Sequence, residues 1–349
     1  MNLHRLKRAA WCLLLHLVLL ASAGTARAEK TDIVYMLNGD RVTCEIKNLE
    51  RGRLKVSTDS MSTVYIEWKD IARVSSSALY IIEMEDGSRV EGRLADSDAE
   101  GQLLLRTEDK EQLVSMATVV WLDPLKLDAR IIKRWDGSVS AGFDMTKAND
   151  NTSLSASFDA RRRAETFLLN LNASVYSRSQ TGTDDSFRAK VGGVYRGLLE
   201  DRWYWAGLGN LERNDELGID LRTLAGAGYG RFLTQTGRTL WSVTGGLAVV
   251  NEQRAGEEAA ETSVESFFSM DYEFFTYDTP KTTLTTSLTV FPSLTDGGRV
   301  RANLDFALRR ELVKDLFIEL SVYDSYDSRP PEDGTENDYG IVTSLGYTF

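Results

Sequence analysis

The residues that most often carry out chemistry are scarce in this chain. It has two histidines, His4 and His16, and two cysteines, Cys12 and Cys44. All but Cys44 fall within residues 1–28, which have the make-up of a secretory signal peptide. Arg5, Lys7 and Arg8 precede an apolar run from Ala9 to Ala23, and Ala26-Arg27-Ala28 supplies the small residues that a signal peptidase reads. That run is short for a membrane helix, which needs roughly 20 apolar residues. A mature chain starting near Glu29 then has no imidazole and cannot form an internal disulfide. Ser-His-Asp chemistry and histidine-containing metal sites are excluded with it. Carboxylate pairs remain, such as Asp271 and Glu273, two residues apart and able to do acid–base work. Their plainer role is to line a polar lumen. No enzyme and no cofactor are expected. The net charge is -11, and losing Arg5, Lys7, Arg8 and Arg27 with the leader makes it four units more negative. Nucleic-acid binding wants a basic face and is not expected.

The elements that would position such carboxylates are strands. From residue 137 to 349 alternation recurs in segments of 10–17 residues broken by Gly, Asp, Asn, Thr and Pro. Twelve such segments run from 137–147 to 338–349. In one, Val264, Phe268, Met270, Tyr272 and Phe274 share a face opposite Glu265, Asp271 and Glu273. In another, Ala302, Leu304, Phe306 and Leu308 oppose Arg301, Asp305 and Arg309. Leu316, Ile318 and Leu320 oppose Glu319, and Phe187, Ala189, Val191 and Tyr195 oppose Arg188, Lys190 and Arg196. Strands of ten or more residues exceed the globular mode of 5–6 and suit a membrane crossing. The expected fold is therefore all-β, with a C-terminal transmembrane antiparallel β-barrel of about 12 strands. Its charged face points into the lumen. Acidic stretches at 251–261 and 325–338 read as outer loops, and short connections such as 163–164 and 313–314 read as periplasmic turns.

Residues 31–123 carry one pattern twice, offset by about 48 positions. Asn38-Gly39 answers Asp86-Gly87, Ile46 answers Leu94, Cys44 answers Gly92, and Trp68, Ile71 and Val74 answer Met116, Val119 and Leu122. Asn-Gly and Asp-Gly are strong hairpin signals and predict type I′ turns. Two small β units follow, at 29–76 and 77–123, resembling SH3-like and Sm-like barrels. Cys44 reads as a small buried strand position. Residues 124–136 form a linker, in which Leu125, Leu127, Ile131 and Ile132 could build a short docking helix or a plain tether.

The barrel half resembles the salt-induced outer-membrane protein family. The residues that carry the resemblance are Trp135-Asp136-Gly137-Ser138, the segment Ala225-Gly226-Ala227-Gly228-Tyr229-Gly230, and the closing Leu345-Gly346-Tyr347-Thr348-Phe349. The resemblance implies a bacterial outer-membrane barrel with no assigned function and no catalytic residues. Expected partners are outer-membrane lipid and lipopolysaccharide, the barrel-assembly machinery, and a periplasmic protein or the cell wall for the N-terminal units. Three roles remain open: a structural barrel with a narrow or closed lumen, a small-solute pore, or a tether anchored by its barrel.

Tyr339, Ile341, Leu345, Tyr347 and Phe349 lie on one face of the last segment, in the pattern that barrel-assembly machinery reads. Replacing Phe349 by a polar residue should therefore lower the yield of heat-modifiable protein on a gel. Unchanged assembly would mean that this strand is not the signal.

Overall fold

The computed structural model describes residues 30–349 apart from 98, 108–109, 126–134, 147–150, 180–184, 258, 277–279, 331–334 and 349. The expected leader, Phe349 and the linker residues Leu127, Ile131 and Ile132 lie outside the described residues.

The N-terminal strands are β1 (Asp32–Met36), β2 (Arg41–Glu50), β3 (Arg53–Ser57), β4 (Thr63–Glu67), β5 (Ile71–Met84), β6 (Arg89–Ala95), β7 (Gln102–Arg106), β8 (Glu111–Ser115) and β9 (Val119–Pro124). They form one sheet in the order β4-β3-β2-β1-β5-β6-β7-β8, with β9 closing on β2 and β5. The duplication is visible in this pairing. The first half of β5 pairs with β1, while its second half pairs with β6 and β9. One continuous strand thus serves both copies. Two single-turn 3-10 helices, Trp68–Asp70 and Met116–Thr118, occupy equivalent places. Equivalent residues also meet across the pseudo-dyad. Trp68 Nε1 donates to the Met116 carbonyl at 2.6 Å, and Tyr80 Oη donates to Asp32 at 3.4 Å.

Each copy is too small to bury its own core, so the two share one. Val34, Ile46, Leu49, Leu54, Tyr80, Ile82, Leu94, Leu103 and Leu122 are all buried in it. Cys44 sits there too. Burial, with Asp32 nearby, pushes its thiol up to about 12, so it stays protonated. The hairpin turns differ from expectation. Gly39 and Gly87 have φ of 91° and 86°, but Asn38 and Asp86 are not in the left-handed region. The Gly39 and Gly87 amides bond back to Met36 and Met84, which makes each a tight turn followed by a glycine bulge, not a type I′ turn.

The second body is a closed antiparallel barrel of twelve strands in chain order. These are β10 (Trp135–Thr146), β11 (Asn151–Arg163), β12 (Phe167–Ser179), β13 (Ser186–Leu198), β14 (Trp203–Asn214), β15 (Ile219–Gln235), β16 (Thr239–Arg254), β17 (Glu261–Thr276), β18 (Thr282–Pro292), β19 (Val300–Val313), β20 (Leu316–Asp327) and β21 (Asn337–Thr348). Pairing of β10 with β21, Val139 opposite Tyr347, closes the ring. Closure removes the two edges that an open sheet would leave unpaired.

The glycine-rich β15 segment has a packing reason. Inward aromatic rings sit close against inward glycines. A Cβ on Gly246 would sit 2.7 Å from the Phe267 ring, and one on Gly230 would sit 2.6 Å from the Tyr204 ring. The Tyr204 hydroxyl is then held by Thr244 Oγ1 at 2.8 Å and donates to the Val243 carbonyl at 3.1 Å. Rings over strand glycines fill the bore and pin the register. Outward, Val139, Phe143, Leu154, Val191, Leu211, Leu247, Phe268 and Ile341 are exposed, which leaves an apolar wall around the ring.

Candidate functional site at the two mouths of the lumen

Strand register assigns every barrel residue to one face. The ten charged residues read as lumen-facing from the sequence all point inward, and each finds a partner. Twelve strands at about 4.8 Å spacing and 40° tilt give a backbone radius of about 12 Å. Long side chains therefore reach across. Lys190 on β13 meets Asp305 on β19 at 3.8 Å, half the ring away. Arg196 meets Asp271 on β17 at 2.8 Å, and Ser287 donates to the same carboxylate. Arg309 meets Glu319 at 2.6 Å and Asp159 at 3.7 Å.

The end of the barrel away from the N-terminal sheet holds a dense ion-pair cluster. Arg222 lies between Glu252 at 2.6 Å, Glu212 at 3.5 Å and Asp327 at 3.5 Å. Arg299 reaches Glu252 at 3.0 Å and Asp327 at 2.6 Å, and Arg301 meets Glu265 at 2.5 Å. None of these seven side chains exceeds 5% exposure. Close by, Asp338 accepts from Asn214 at 2.8 Å and from Arg188 at 3.3 Å, with the Arg188 guanidinium 4.0 Å from the Tyr323 ring. Charges buried this deeply are tolerated only when paired and hydrogen-bonded, as here.

The other end meets the N-terminal sheet. Its β2–β3 turn enters the mouth. Glu50 pairs with Arg161 at 3.2 Å, Arg161 pairs across the lumen with Glu273 at 3.2 Å, and Arg51 pairs with Glu273 in turn. The adjoining Gly52 lies against the β15–β16 turn, where a Cβ would sit 2.7 Å from the Gly237 carbonyl oxygen. A second anchor forms at the end of β5. Glu83 accepts from Arg163 at 2.8 Å, from Gln235 at 2.7 Å and from Arg89 at 2.9 Å, while the Arg163 guanidinium lies 5.3 Å from the Trp121 ring centre. The Gly87 turn abuts Arg202 of the β13–β14 turn. Burial opposes the charge on Glu83, but Arg163 and Arg89, with the Gln235 bond, hold its carboxyl below the usual range.

Between these two clusters the inward side chains are more exposed. The Asp305 and Asp159 side chains point inward yet are 55% and 54% exposed, and the inward Asn172 and Ser174 are exposed as well.

Of the far cluster the sequence marks only Arg301 and Glu265 as lumen charges, and it marks none of the N-terminal groups at the other mouth. Glu252, Asp327 and Asp338 were expected in acidic outer loops. They are strand residues facing inward: Glu252 and Asp338 fall at the ends of the segments 238–252 and 338–349, where loop and strand readings overlap, and β20 runs one residue past 315–326 to take in Asp327. The available signal was period two continued past the last apolar residue, from Val250 to Glu252 and from Leu224 back to Arg222. Nothing local marks Glu50, Arg51 or Glu83, whose barrel partners lie 80 to 222 positions away. Tyr339, Ile341, Leu345 and Tyr347 face outward on β21 and are exposed.

This is an all-β chain with a twelve-stranded closed barrel and a smaller duplicated β region. Residues 139–349 match the family described as proteins of unknown function, DUF481, and the chain belongs to that family. No curated protein matches it. Among solved structures, the NanC porin is similar at 10% identity and TM-score 0.35, over 61% of this chain and 98% of that one. The β domain of the Bordetella autotransporter BrkA is similar at 11% and 0.32, over 62% and 97%. The KdgM porin, solved in complex with disordered oligogalacturonate, is similar at 11% and 0.29, over 62% and 99%.

Removing Glu83 leaves Arg163 buried without its carboxylate. Losing one partner of a buried pair costs about 3–5 kcal/mol, so Glu83→Ala should speed amide exchange in the β5–β6 turn. Acid should act in the same direction. The folded pKa of Glu83 is lowered, so its stabilisation is present above the unfolded value and is lost as pH falls through the folded one. Exchange in that turn that is insensitive to both would contradict the assignment of Glu83 as an anchor.

Proposed function

We propose that this chain is a bacterial outer-membrane β-barrel with its N-terminal sheet in the periplasm, and that it serves the envelope structurally with a lumen closed at both ends. The observation that carries the reading is the cap: the β2–β3 turn seated in the mouth through Glu50–Arg161 and Arg51–Glu273.

The membrane part rests on the outer wall. A continuous ring of exposed Val, Leu, Ile and Phe is far larger than the apolar patches that soluble monomers expose. Near the capped end the wall carries stacked rings, Phe167 on Tyr195 at 5.4 Å and Trp203 on Tyr229 at 5.1 Å. Arg162 and Arg231 lie over Phe167 and Trp203, where lipid phosphates would meet them. Aromatic girdles belong at membrane interfaces. The orientation rests on connections. At the capped end they are short, such as 314–315, and at the far end they reach 328–336. Short periplasmic turns and longer outer loops are the expected asymmetry. The resemblance to salt-induced barrels supports a role under envelope stress. Lipid, lipopolysaccharide and the assembly machinery are the partners this reading implies. The mature chain offers no histidine for the common hydrolytic chemistries, and we read it as no enzyme. The water-exposed Asp159 and Asp305 favour one second reading, a small-solute pore that opens when the cap leaves.

Purified full-length protein in planar bilayers should show weak conductance or none. Stable large openings would overturn the closed-lumen reading.

A further inference from the structure

We propose that the middle of the lumen is a binding chamber for a small organic cation rich in N–H donors, an amine, and that the N-terminal sheet is its lid. The proposal rests on the reading of that sheet as the closure of one mouth.

The two closures differ in kind. At the far end every member of the ion-pair cluster is borne by the barrel wall or its connections, so opening it means deforming the barrel. At the near end the blocking groups, Glu50, Arg51 and Glu83, belong to a separate sheet with its own core. That sheet can leave without breaking a barrel strand. The chamber behind it is a cup that opens toward the lid.

The lining favours a cation. Between the closures three bases, Lys190, Arg196 and Arg309, face four acids, Asp159, Asp271, Asp305 and Glu319. Exposure is unequal as well. The Asp305 and Asp159 carboxylates are 55% and 54% exposed, whereas their partners Lys190 and Arg309 are 20% and 26% exposed. Both of these pairs are long, at 3.8 and 3.7 Å, and Arg309 is already committed to Glu319 at 2.6 Å. Water in the chamber therefore meets acceptors more than donors. The uncharged groups add to this. In register, Asn172, Gly192 and Asn210 form a row across β12, β13 and β14. Gly192 leaves room between the two amides, whose oxygens would lie 3.2 and 3.1 Å from a Cβ there. The Asn210 oxygen has no hydrogen-bond partner among the described residues. A low-dielectric cup with excess negative charge concentrates cations by about tenfold or more.

The test uses the full chain in detergent, so its outcome does not depend on membrane location. Asn172→Cys serves as reporter, and the buried Cys44 is a silent background that wild-type protein verifies. Labelling rates with a cationic and an anionic methanethiosulfonate are normalised to those of the denatured protein. With the lid seated, both should be slow. Adding Glu50→Lys and Glu83→Lys, which set like charges against Arg161 and Arg163, should raise them about tenfold or more. The cationic reagent should then lead by about tenfold, and Asp159→Asn with Asp305→Asn should bring the ratio toward one. Millimolar putrescine should slow cationic labelling and glycerol should not. Equal rates with the lid seated or repelled would overturn the lid. A ratio near one, a ratio indifferent to the two aspartates, or no effect of putrescine would overturn the cation site while leaving the closed mouth standing. Heat-modifiability on a gel verifies folding, and Ser174→Cys is the second reporter if Asn172→Cys does not fold.

Discussion

A charge on the inner face of a twelve-stranded barrel has little water around it and an opposite wall within reach of a long side chain. That constraint organises the molecule. Unpaired, such a charge is costly to bury. Paired across the bore, it braces the ring. Lys190 with Asp305, Arg196 with Asp271 and Arg161 with Glu273 all join strands that are not neighbours. Where the charges crowd, as around Arg222 and Arg299, the side chains are almost fully buried. Where they thin out, around Asp159 and Asp305, water enters. Ion pairs are thus dense at both ends of the interior and sparse around Asp159 and Asp305.

The N-terminal sheet fits this scheme by bringing charges of its own. Arg161 and Glu273 already face each other across the mouth, and Glu50 and Arg51 complete a four-membered alternation of sign. Duplication helps in a simple way. Two copies fused through β5 share one core and so make a rigid body, and that body presents two separate turns to the barrel. The Gly52 turn meets the Gly237 turn, and the Gly87 turn meets Arg202. Both approaches are too close for a Cβ, and both module glycines have positive φ. Glycine is required there twice over, for conformation and for contact.

Much of this was legible in the residues. Period-two alternation gave twelve strands and set Arg188, Lys190, Glu265, Arg301 and the rest on one face, because register fixes the face once one side is apolar. The repeat offset anticipated equivalences such as Trp68 with Met116. Two things were hidden. Strand ends that carry charge look like loops, so Asp327 reads as loop and Glu252 as both strand end and loop. A hydrophobic pattern stops where the outward apolar residues stop, while the strand continues. Contacts between the two bodies leave no periodic mark at all. Glu83 looks like any strand-end acid until Arg163 and Gln235 are brought to it by the fold. The glycines of β15 stood out as a motif, but their reason, the rings of Tyr204 and Phe267 lying on glycines of β15 and β16, is a tertiary one.

The central claim is that the duplicated sheet is seated in the barrel mouth. Spin labels at Ser88, beside the Gly87 turn, and at Glu200, beside the Asp201–Arg202 turn, test it most directly. Both positions are exposed. Seating predicts one narrow distance distribution at close range in the full-length protein. A broad distribution reaching long distances would mean a tethered sheet that does not close the lumen, and would contradict the account.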